Sequence, residues 1–332
     1  MKPSVLVTGA SGFVGRAVAG RLKSDGIEVR LAVRSGTGGL PAGSLVFEIG
    51  DMDASTDWRA AVSGATAVVH CAARVHQIRD EASDSLAEFR RVNRDGTAAL
   101  AAQAASAGVD RFVFISSIKV HGESTAPHHP FRAAVPPVPL GPYGISKWEA
   151  ELALRRIESE TELRVVALRP PLVYGPGVKA NFRNMMHAIW RGWPLPLGAV
   201  HNRRSLVALD NLVDLIALAL RHEAAPGRAF LVSDDEDLST TDLLRRVGSS
   251  LGRPARLLPV PSSWLRTAAA MVGRPGTGHR LCDSLQVDID ETRTLLGWRP
   301  VIQVDEALVK TAQHFLAEMA RPVSRQGDNR GR

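Results

Sequence analysis

The chain has 332 residues, of which 45% are hydrophobic and 23% are charged, and its formal net charge at pH 7 is +7. These proportions are typical of a globular protein, and the length suits two domains or one large α/β unit. The most apolar stretch, residues 205–220, is interrupted by Asp210 and Asp214, so it falls short of the roughly 18 apolar residues of a membrane span. Membrane insertion is therefore not expected.

The cysteine content gives no sign of a disulfide or metal framework. Cys71 and Cys282 are too few for a disulfide-stapled fold and lack the spacing of zinc ligands. The apolar residues near the start of the chain give way at once to "TGASG", unlike the core of a signal peptide. We therefore expect a cytoplasmic protein without a metal site.

The basic residues are scattered along the chain, and aromatic residues make up only 5% of it. Nucleic-acid binding is not expected, because it favours a basic stripe with interleaved aromatic side chains. A scattered positive charge favours small phosphate-bearing ligands instead. The densest basic stretch, residues 321–332, is predicted to be a flexible tail.

The first half of the chain alternates short apolar runs with helical patterns. The runs are "SVLVTG", "EVRLAVR", "SLVFEIG", "TAVVHCA", "RFVFISS" and "LRVVALR". Strand, helix and strand in repetition predict an α/β fold with a parallel, doubly wound sheet over residues 1–170. From residue 171, turns rich in Gly and Pro separate helices from isolated strands such as "RAFLVS". This pattern predicts a smaller mixed lobe over residues 171–320, partly interleaved with the first.

The turn after the first strand is rich in glycine. The stretch "VLVTGASGFVGRAV" places Gly9, Gly12 and Gly15 between a strand and a helix. Glycines there let the backbone approach a ligand closely, and the N-terminus of the following helix attracts a pyrophosphate. A glycine triplet alone is weak evidence for such a site, but its position between a strand and a helix predicts a dinucleotide-binding turn.

A second pair of residues raises a chemical question. In "GPYGISKWEAE", Tyr143 and Lys147 are one helical turn apart and share a face. An ammonium group beside a phenol lowers the phenol's pKa, which is about 10 when free, toward neutrality. The spacing alone also fits an ordinary surface pair, so the other motifs of the chain must decide.

Taken together, the motifs resemble the short-chain dehydrogenase/reductase superfamily, and in particular its extended branch of NAD(P)-dependent epimerases and dehydratases. The spacing G-x-x-G-x-x-G is typical of that branch. Further matches follow in order: "GDMD", "VVHCAA", "RVNRDGT", "ISSIKVHG", "PYGISK", "RPPLVYGPG", "NRRSLVALDNLVDL" and "LLGWRP". The match is nearest to a bacterial group of UDP-glucose 4-epimerase-like proteins that includes 4-ketoreductases forming UDP-N-acetylquinovosamine. It implies a Rossmann-type NAD(P)-binding domain followed by a nucleotide-sugar lobe.

The resemblance implies a role for each matching residue. Tyr143 would be the catalytic acid/base, Lys147 would tune it and hold the nicotinamide ribose, and Ser117 would hydrogen-bond the substrate oxygen. The cofactor-binding residues would be Gly9, Ser11, Gly12, Phe13, Val14, Gly15, Arg34, Ser35, Asp51, Met52, Cys71, Ala72, Ala73, Asn93, Tyr143, Lys147, Pro170 and Val173. The substrate-binding residues would be Ser117, Tyr143, Asn181, Leu195, Leu197, Arg204 and Arg280. Arg204 would meet the pyrophosphate, whereas for Arg280 an ordinary surface ion pair stays open.

Three departures from the family pattern narrow the chemistry. Arg34-Ser35 stand where NAD-specific members have an acid, which favours NADP(H); an arginine stacked on adenine with NAD(H) bound is the alternative. Ile118-Lys119 replace the Asp-Glu pair of the 4,6-dehydratases, so dehydration is not expected. Pro171-Leu172 replace the Phe-Asn of the galactose 4-epimerases.

We therefore expect an NADP(H)-dependent enzyme that reduces the C4 keto group of a UDP-4-keto-6-deoxy-N-acetylhexosamine for surface polysaccharide synthesis. Two alternatives stay open: a UDP-hexose or UDP-N-acetylhexosamine 4-epimerase with retained NAD, and a non-catalytic NADP(H)-sensing protein. The presence of Ser117, Tyr143 and Lys147 disfavours the sensor. The resemblance also implies a homodimer through a four-helix interface formed by residues 85–107 and 145–160, with apolar contacts from Leu100, Trp148 and Leu152.

Overall fold

A parallel sheet forms the centre of the protein in a computed structural model. The structure describes residues 3–36, 38, 40–75, 85–126, 128–273 and 275–320, and the predicted basic tail, 321–332, lies outside them. The strands of the described residues are β1 Ser4–Thr8, β2 Glu28–Val33, β3 Leu45–Glu48, β4 Ala67–His70, β5 Arg111–Ile115, β6 Arg164–Arg169, β7 Leu172–Tyr174, β8 Arg204–Ala208, β9 Arg228–Leu231 and β10 Asp237–Leu238.

Helices cover both faces of this sheet and build the smaller lobe. Their bounds are α1 Phe13–Ser24, α2 Arg59–Val62, α3 Ser85–Phe89, α4 Gly96–Ser106, α5 Pro142–Glu160, α6 Ala180–Trp190, α7 Leu209–Ala219, α8 Thr240–Ser250, α9 Ser262–Met271, α10 Pro275–Cys282, α11 Asp290–Leu296 and α12 Val304–Ala320. A π-helical turn over Arg90–Asp95 joins α3 to α4, and a 3₁₀ turn over Ile118–Val120 follows β5. Among the described residues, no helix is both long and apolar enough to cross a bilayer.

The order of the strands determines where a ligand can bind. The main sheet runs β3-β2-β1-β4-β5-β6-β9, with every neighbouring pair parallel. A second sheet, β10-β8-β7, belongs to the smaller lobe. The order reverses between β1 and β4, and ligands of such sheets bind outside the carboxyl ends of the strands at this switch point.

Both faces of the main sheet are packed, which explains the unbroken apolar runs of its strands. Val5 and Val7 of β1 contribute to the core on one face, together with α1 and α7. Leu6, between them, contributes to the core on the other face with residues of α4 and α5. This alternation is the period-2 geometry of a strand buried on both sides.

The predicted α/β fold class is confirmed, and all six predicted strands of the first half are present. The interpretation of "RAFLVS" as an isolated strand of the smaller lobe is wrong. It forms β9, which pairs in parallel with β6 as the seventh strand of the main sheet. The buried side chains of Phe230 and Leu231 fix it there, because they complete the core beside β6. The division of the chain at residue 170 stays a prediction.

The structure also bears on the helices predicted to form a dimer. Leu100 of α4, which was predicted to be an apolar contact of this interface, is fully buried in the core of the single chain. It is therefore unavailable to a partner, whereas Leu152 of α5 is 45% exposed.

Close packing around the first turn depends on its glycines. Gly9 has a φ of +63°, and a Cβ added there would lie 2.8 Å from the backbone nitrogen of Ala72. A Cβ on Gly15 would lie 2.3 Å from the carbonyl oxygen of Gly9. Helix α1 thus rests directly on the turn that precedes it, and no larger residue fits between them.

Gly15→Ala should lower the free energy of unfolding by about 2 kcal/mol or more, because overpacking against backbone atoms costs about 1–3 kcal/mol and this neighbour cannot rotate away. Gly20→Ala is the matched control in the same helix, since a Cβ there meets nothing within 4 Å. It should stabilise the protein by about 0.5–1 kcal/mol. Urea denaturation of both variants measures this, and equal effects would contradict the packing argument.

Candidate active site

Several predicted site segments meet at the carboxyl ends of β1, β4 and β5. The glycine turn follows β1, Cys71–Ala73 follow β4, and Ser117 follows β5. The backbone N–H of Ala72 donates to Thr8 Oγ1 at 3.2 Å, which joins the first two segments. Burial raises the pKa of the Cys71 thiol to about 12, so this residue is a packing group rather than a nucleophile.

The N-terminus of α1 is suited to an anion. Its cap residue, Gly12, is extended and has no side-chain hydrogen bond to the first turn, which contains no acidic residue. Ser11 and Gly12 are exposed, whereas Phe13 and Val14 are partly buried against the core. Uncapped amides and the helix dipole together favour a phosphate at this position.

The residues predicted at the adenosine end lie along the edges of β2 and β3. Arg34 and Ser35 follow β2 and are exposed, with 76% of the Arg34 side chain accessible. Arg34 Nη1 lies 3.7 Å from Asp51 Oδ1, an exposed pair of little energetic weight. Met52 is buried, and its side chain packs against Gly96 at the start of α4, where a Cβ would lie 2.6 Å from Met52 Cγ. This contact fixes the segment after β3 to α4, at one end of the crevice that the carboxyl ends of the strands form.

Glu48 is a carboxylate at this end that sequence reasoning missed. It is the register partner of Val33, the last residue of β2, and its Oε1 accepts a hydrogen bond from Gly36 N at 2.9 Å. An acid therefore does stand beside the end of β2, supplied by the neighbouring strand. Parallel pairing brings the ends of β2 and β3 together, and motif spacing could not reveal this.

Ser117 and Tyr143 are brought together by the 3₁₀ turn and helix α5. Ser117 is extended, and its Oγ accepts from Lys119 N at 3.2 Å. Helix α5 begins at Pro142 after the extended cap residue Gly141, which places Tyr143 in the first turn. Burial raises the pKa of the Tyr143 phenol to about 12, and a side-chain hydrogen bond with Ser117 opposes this shift.

Lys147 lies one turn further along α5 and is almost completely buried. Its Nζ is 4.0 Å from the centroid of the Phe114 ring, a cation–π contact. Burial lowers the pKa of Lys147 to about 7, while the nearby Glu151 carboxylate opposes the shift. The side chain is therefore poised between its charged and neutral forms near neutral pH.

Glu151 belongs to a buried polar network behind the catalytic helix. Arg169 donates to both of its carboxylate oxygens, at 3.0 and 2.5 Å, and Ser116 Oγ donates at 2.5 Å. Arg169 Nη1 also lies 2.8 Å from His121 Nε2. Sequence reasoning missed this network, although Glu151 follows Lys147 at helical spacing. The contacts between Glu151 and Arg169 fix α5 to the end of β6.

Asn93 and Pro170 support the site from within. Asn93 is buried, and its amide donates to the Arg74 carbonyl and to Ser146 Oγ, both at 3.0 Å. Its oxygen accepts from Arg74 N at 2.8 Å, so this side chain braces the crevice instead of reaching into it. The carbonyl of Pro170 accepts from Ile118 N at 3.0 Å, and the following Val173 is partly buried in β7.

Two predicted phosphate-binding arginines lie together in the smaller lobe. Arg204 starts β8, and its Nη1 donates to the carbonyls of Arg280 and Asp283, each at 2.9 Å. Burial lowers the pKa of Arg204, with Asp283 opposing the shift. Arg280 lies on α10, where its Nε donates to the Gly276 carbonyl at 3.1 Å. A guanidinium has five N–H donors, and the Arg204 contacts use Nη1 alone.

The other predicted substrate residues surround this pair less closely. Asn181 is exposed in the first turn of α6. Leu195 pairs through both backbone groups with residues 256–258, and the Leu197 carbonyl accepts from Thr241 Oγ1 at 2.7 Å. These contacts occupy both backbone groups of Leu195 and the carbonyl of Leu197, which leaves less backbone for a substrate than the predicted roles of these residues require.

A cavity of about 420 Å³ lies beside the arginine pair. Its lining is mainly polar and includes Ser124, Thr125, Asn202, Arg266 and Asp283. Within the described residues, no group of three or more His, Cys, Asp and Glu side chains is arranged to hold a metal ion. The cavity is thus suited to a polar organic ligand.

Residues 5–233 match the NAD dependent epimerase/dehydratase family. The chain belongs to this family. The resemblance to extended short-chain dehydrogenases/reductases is thereby confirmed, as is the expectation of an NAD(P)-dependent enzyme. The glycine turn, Ser117, Tyr143 and Lys147 all lie inside the matched region.

Three named proteins are similar to this chain over 80% or more of its length. A UDP-glucose 4-epimerase of Vibrio cholerae is 44% identical over 322 residues, covering 95% of this chain and 96% of its own. An N-acetyl-α-D-glucosaminyl-diphospho-ditrans,octacis-undecaprenol 4-epimerase of Escherichia coli O157:H7 is 29% identical over 275 residues, covering 80% and 78%. The structure of MoeE5 in complex with UDP-glucose and NAD has a TM-score of 0.76 at 24% identity, covering 96% of this chain and 100% of that one. The last similarity shows the shared fold.

Glu151→Gln should lower the free energy of unfolding by about 3 kcal/mol, because it leaves the buried Arg169 guanidinium without its counter-charge. Glu149→Gln is the matched control on the same helix, since the Glu149–Arg90 pair is partly exposed and worth about 1 kcal/mol or less. Chemical denaturation of both variants measures the difference. Similar losses in the two would contradict the proposed importance of the buried network.

Proposed function

We propose that this protein is a UDP-sugar 4-epimerase that keeps its NAD bound and inverts the hydroxyl at C4. The observation that carries the proposal is the placement of Ser117, Tyr143 and the buried Lys147 at the carboxyl edge of the sheet, by the 3₁₀ turn after β5 and the first turns of α5. The 44% identity to a UDP-glucose 4-epimerase supports the substrate class. An arginine pair beside a polar cavity supports a ligand with phosphates.

In this function the protein's own residues move one proton in each half-reaction. Tyr143 accepts the proton of the C4 hydroxyl as the carbon is oxidised, and returns it when the keto group is reduced from the other face. Ser117 hydrogen-bonds the same oxygen, because a hydroxyl both donates and accepts. The charged form of Lys147 stabilises the phenolate. When bound, the nicotinamide cofactor accepts and returns the hydride.

The glycine turn and the N-terminus of α1 would hold the pyrophosphate of that cofactor. Gly9, Gly12 and Gly15 leave room for close backbone approach, and the uncapped amides offer donors. The adenosine would lie toward Asp51 and Met52. Arg34 and Glu48 would flank its ribose, and their opposite charges give neither NAD nor NADP a decisive advantage.

A second candidate is the 4-ketoreductase expected from the sequence, which draws its hydride from exchangeable NADPH. The observation in its favour is Arg34, an exposed cation at the end of β2 that could meet a 2′-phosphate. Glu48 weakens this candidate, since its carboxylate would repel that phosphate. We place the epimerase first because of the 44% identity to a UDP-glucose 4-epimerase, and the reductase second.

The quaternary structure is part of the same proposal. A homodimer through α5 and the segment 85–107 remains our interpretation, with Leu152 as an exposed apolar contact and without Leu100. Interfaces of this kind bury apolar side chains that a monomer leaves in water.

The two candidates predict opposite cofactor behaviour. An epimerase should purify with NAD and interconvert UDP-glucose with UDP-galactose, or the N-acetylated pair, without added cofactor. A reductase should purify empty and consume NADPH stoichiometrically with a UDP-4-keto-6-deoxy-N-acetylhexosamine. Mass spectrometry of the extracted nucleotide and assays on both substrates distinguish them.

Two variants serve as controls for this experiment. Tyr143→Phe should lower turnover by about 10²–10⁴-fold in either case while cofactor still binds, because only the proton transfer is removed. Arg34→Ala should weaken NADPH binding by about ten- to a hundred-fold if the reductase candidate is right, and should leave an NAD-dependent epimerase nearly unchanged. Full turnover by Tyr143→Phe would contradict both candidates.

A further inference from the structure

Lys119 is a charged residue that neither the catalytic set nor the predicted substrate set includes. It lies in the 3₁₀ turn two residues after Ser117, on the side of the crevice that faces α5. We propose that Lys119 is a third cation for the substrate's diphosphate, acting with Arg204 and Arg280. This inference rests on the proposed function, because it assumes a nucleoside diphosphate sugar.

The backbone of Lys119 is held rigidly next to the reacting groups. Its N–H donates to Ser117 Oγ at 3.2 Å. Its carbonyl oxygen lies against α5 so closely that a Cβ on Gly144, the residue after Tyr143, would be only 2.6 Å away. The side chain therefore starts from a fixed point beside both catalytic hydroxyls, as a ligand-contacting residue requires.

The segments that carry Lys119, Arg204 and Arg280 lie next to one another. Thr125 N, in the loop that follows Lys119, donates to the Ser284 carbonyl at 2.9 Å, and Arg204 donates to the carbonyls of Arg280 and Asp283. Arg204 is on β8 and Arg280 is on α10. Burial and, after it, the charges of Arg204 and Arg280 together lower the pKa of Lys119 to about 8. Cations that disfavour one another's charge in this way gain most from a shared anion.

Glu123 is the carboxylate that balances part of this charge. It forms an ion pair with Lys119, and its Oε1 would lie 3.7 Å from a Cβ on Gly141, at the start of α5. Asp283 is a second carboxylate near these cations, and it is paired with Arg266. A sugar diphosphate bears one negative charge on each phosphate, so it would gain from contact with several cations.

The ion pair between Glu123 and Lys119 also affects how strongly a diphosphate binds. The Glu123 carboxylate competes with the diphosphate for the Lys119 ammonium, so it weakens affinity while keeping the side chain in place.

Calorimetric titration of the full-length protein with UDP and with uridine tests the inference. Lys119→Met should weaken UDP binding by about ten- to a hundred-fold, the range for losing one charge-assisted contact, while uridine binding stays within about twofold. Lys119→Arg should keep most of the UDP affinity. Glu123→Gln should tighten UDP binding severalfold. Lys310→Met, which removes the same charge from the distant α12, is the control and should change neither ligand.

Each contrary result has a distinct meaning. UDP binding by Lys119→Met equal to that of the wild type would overturn this inference and leave the proposed function standing. Equal losses for UDP and uridine would also overturn it, because they indicate a structural role. Failure of the wild type to bind either UDP or uridine would overturn the proposed function and this inference with it.

Discussion

A lysine side chain buried in the core is the constraint on which the rest of the site depends. Lys147 has 1% of its surface exposed, and an ammonium in such a place is unfavourable unless charges and rings compensate it. The Phe114 ring and the Glu151 carboxylate provide that compensation. Glu151 is in turn held by Arg169 and Ser116, so the catalytic helix, β5 and β6 are fixed to one another. The charged members of this network are paired, whereas Nδ1 of His121 at its edge is buried without a hydrogen-bond partner.

The topology of the sheet then explains why the glycine turn, Ser117 and Tyr143 lie at the same edge of the sheet. The strand order reverses between β1 and β4, and the segments that leave their carboxyl ends diverge around a crevice. Gly9 and Gly15 keep α1 close to that crevice, while Ser117 and Tyr143 approach it from β5 and α5. The smaller lobe adds Arg204 and Arg280, whose contacts hold β8 and α10 together.

The sequence predicted what local periodicity and motif spacing encode. The apolar runs identified β1 to β6, and the spacing of Tyr143 and Lys147 placed both on one helix. The sequence did not predict contacts between distant segments, because these contacts depend on the register of the sheet and on how the smaller lobe packs. Glu48 reaches the end of β2 only through strand pairing, and Arg280 meets Arg204 only through the fold of the lobe. Helical period alone likewise could not tell that Leu100 faces the core.

The central claim is that hydride, and not a proton, leaves C4 of the sugar while Tyr143 handles the hydroxyl proton. Turnover of UDP-glucose or UDP-N-acetylglucosamine deuterated at C4, in ordinary water, tests it directly. Mass spectrometry and NMR of the re-isolated sugars should show the deuterium retained at C4 of both epimers. Loss of the deuterium to solvent would contradict the account, because it would mean that C4 is deprotonated.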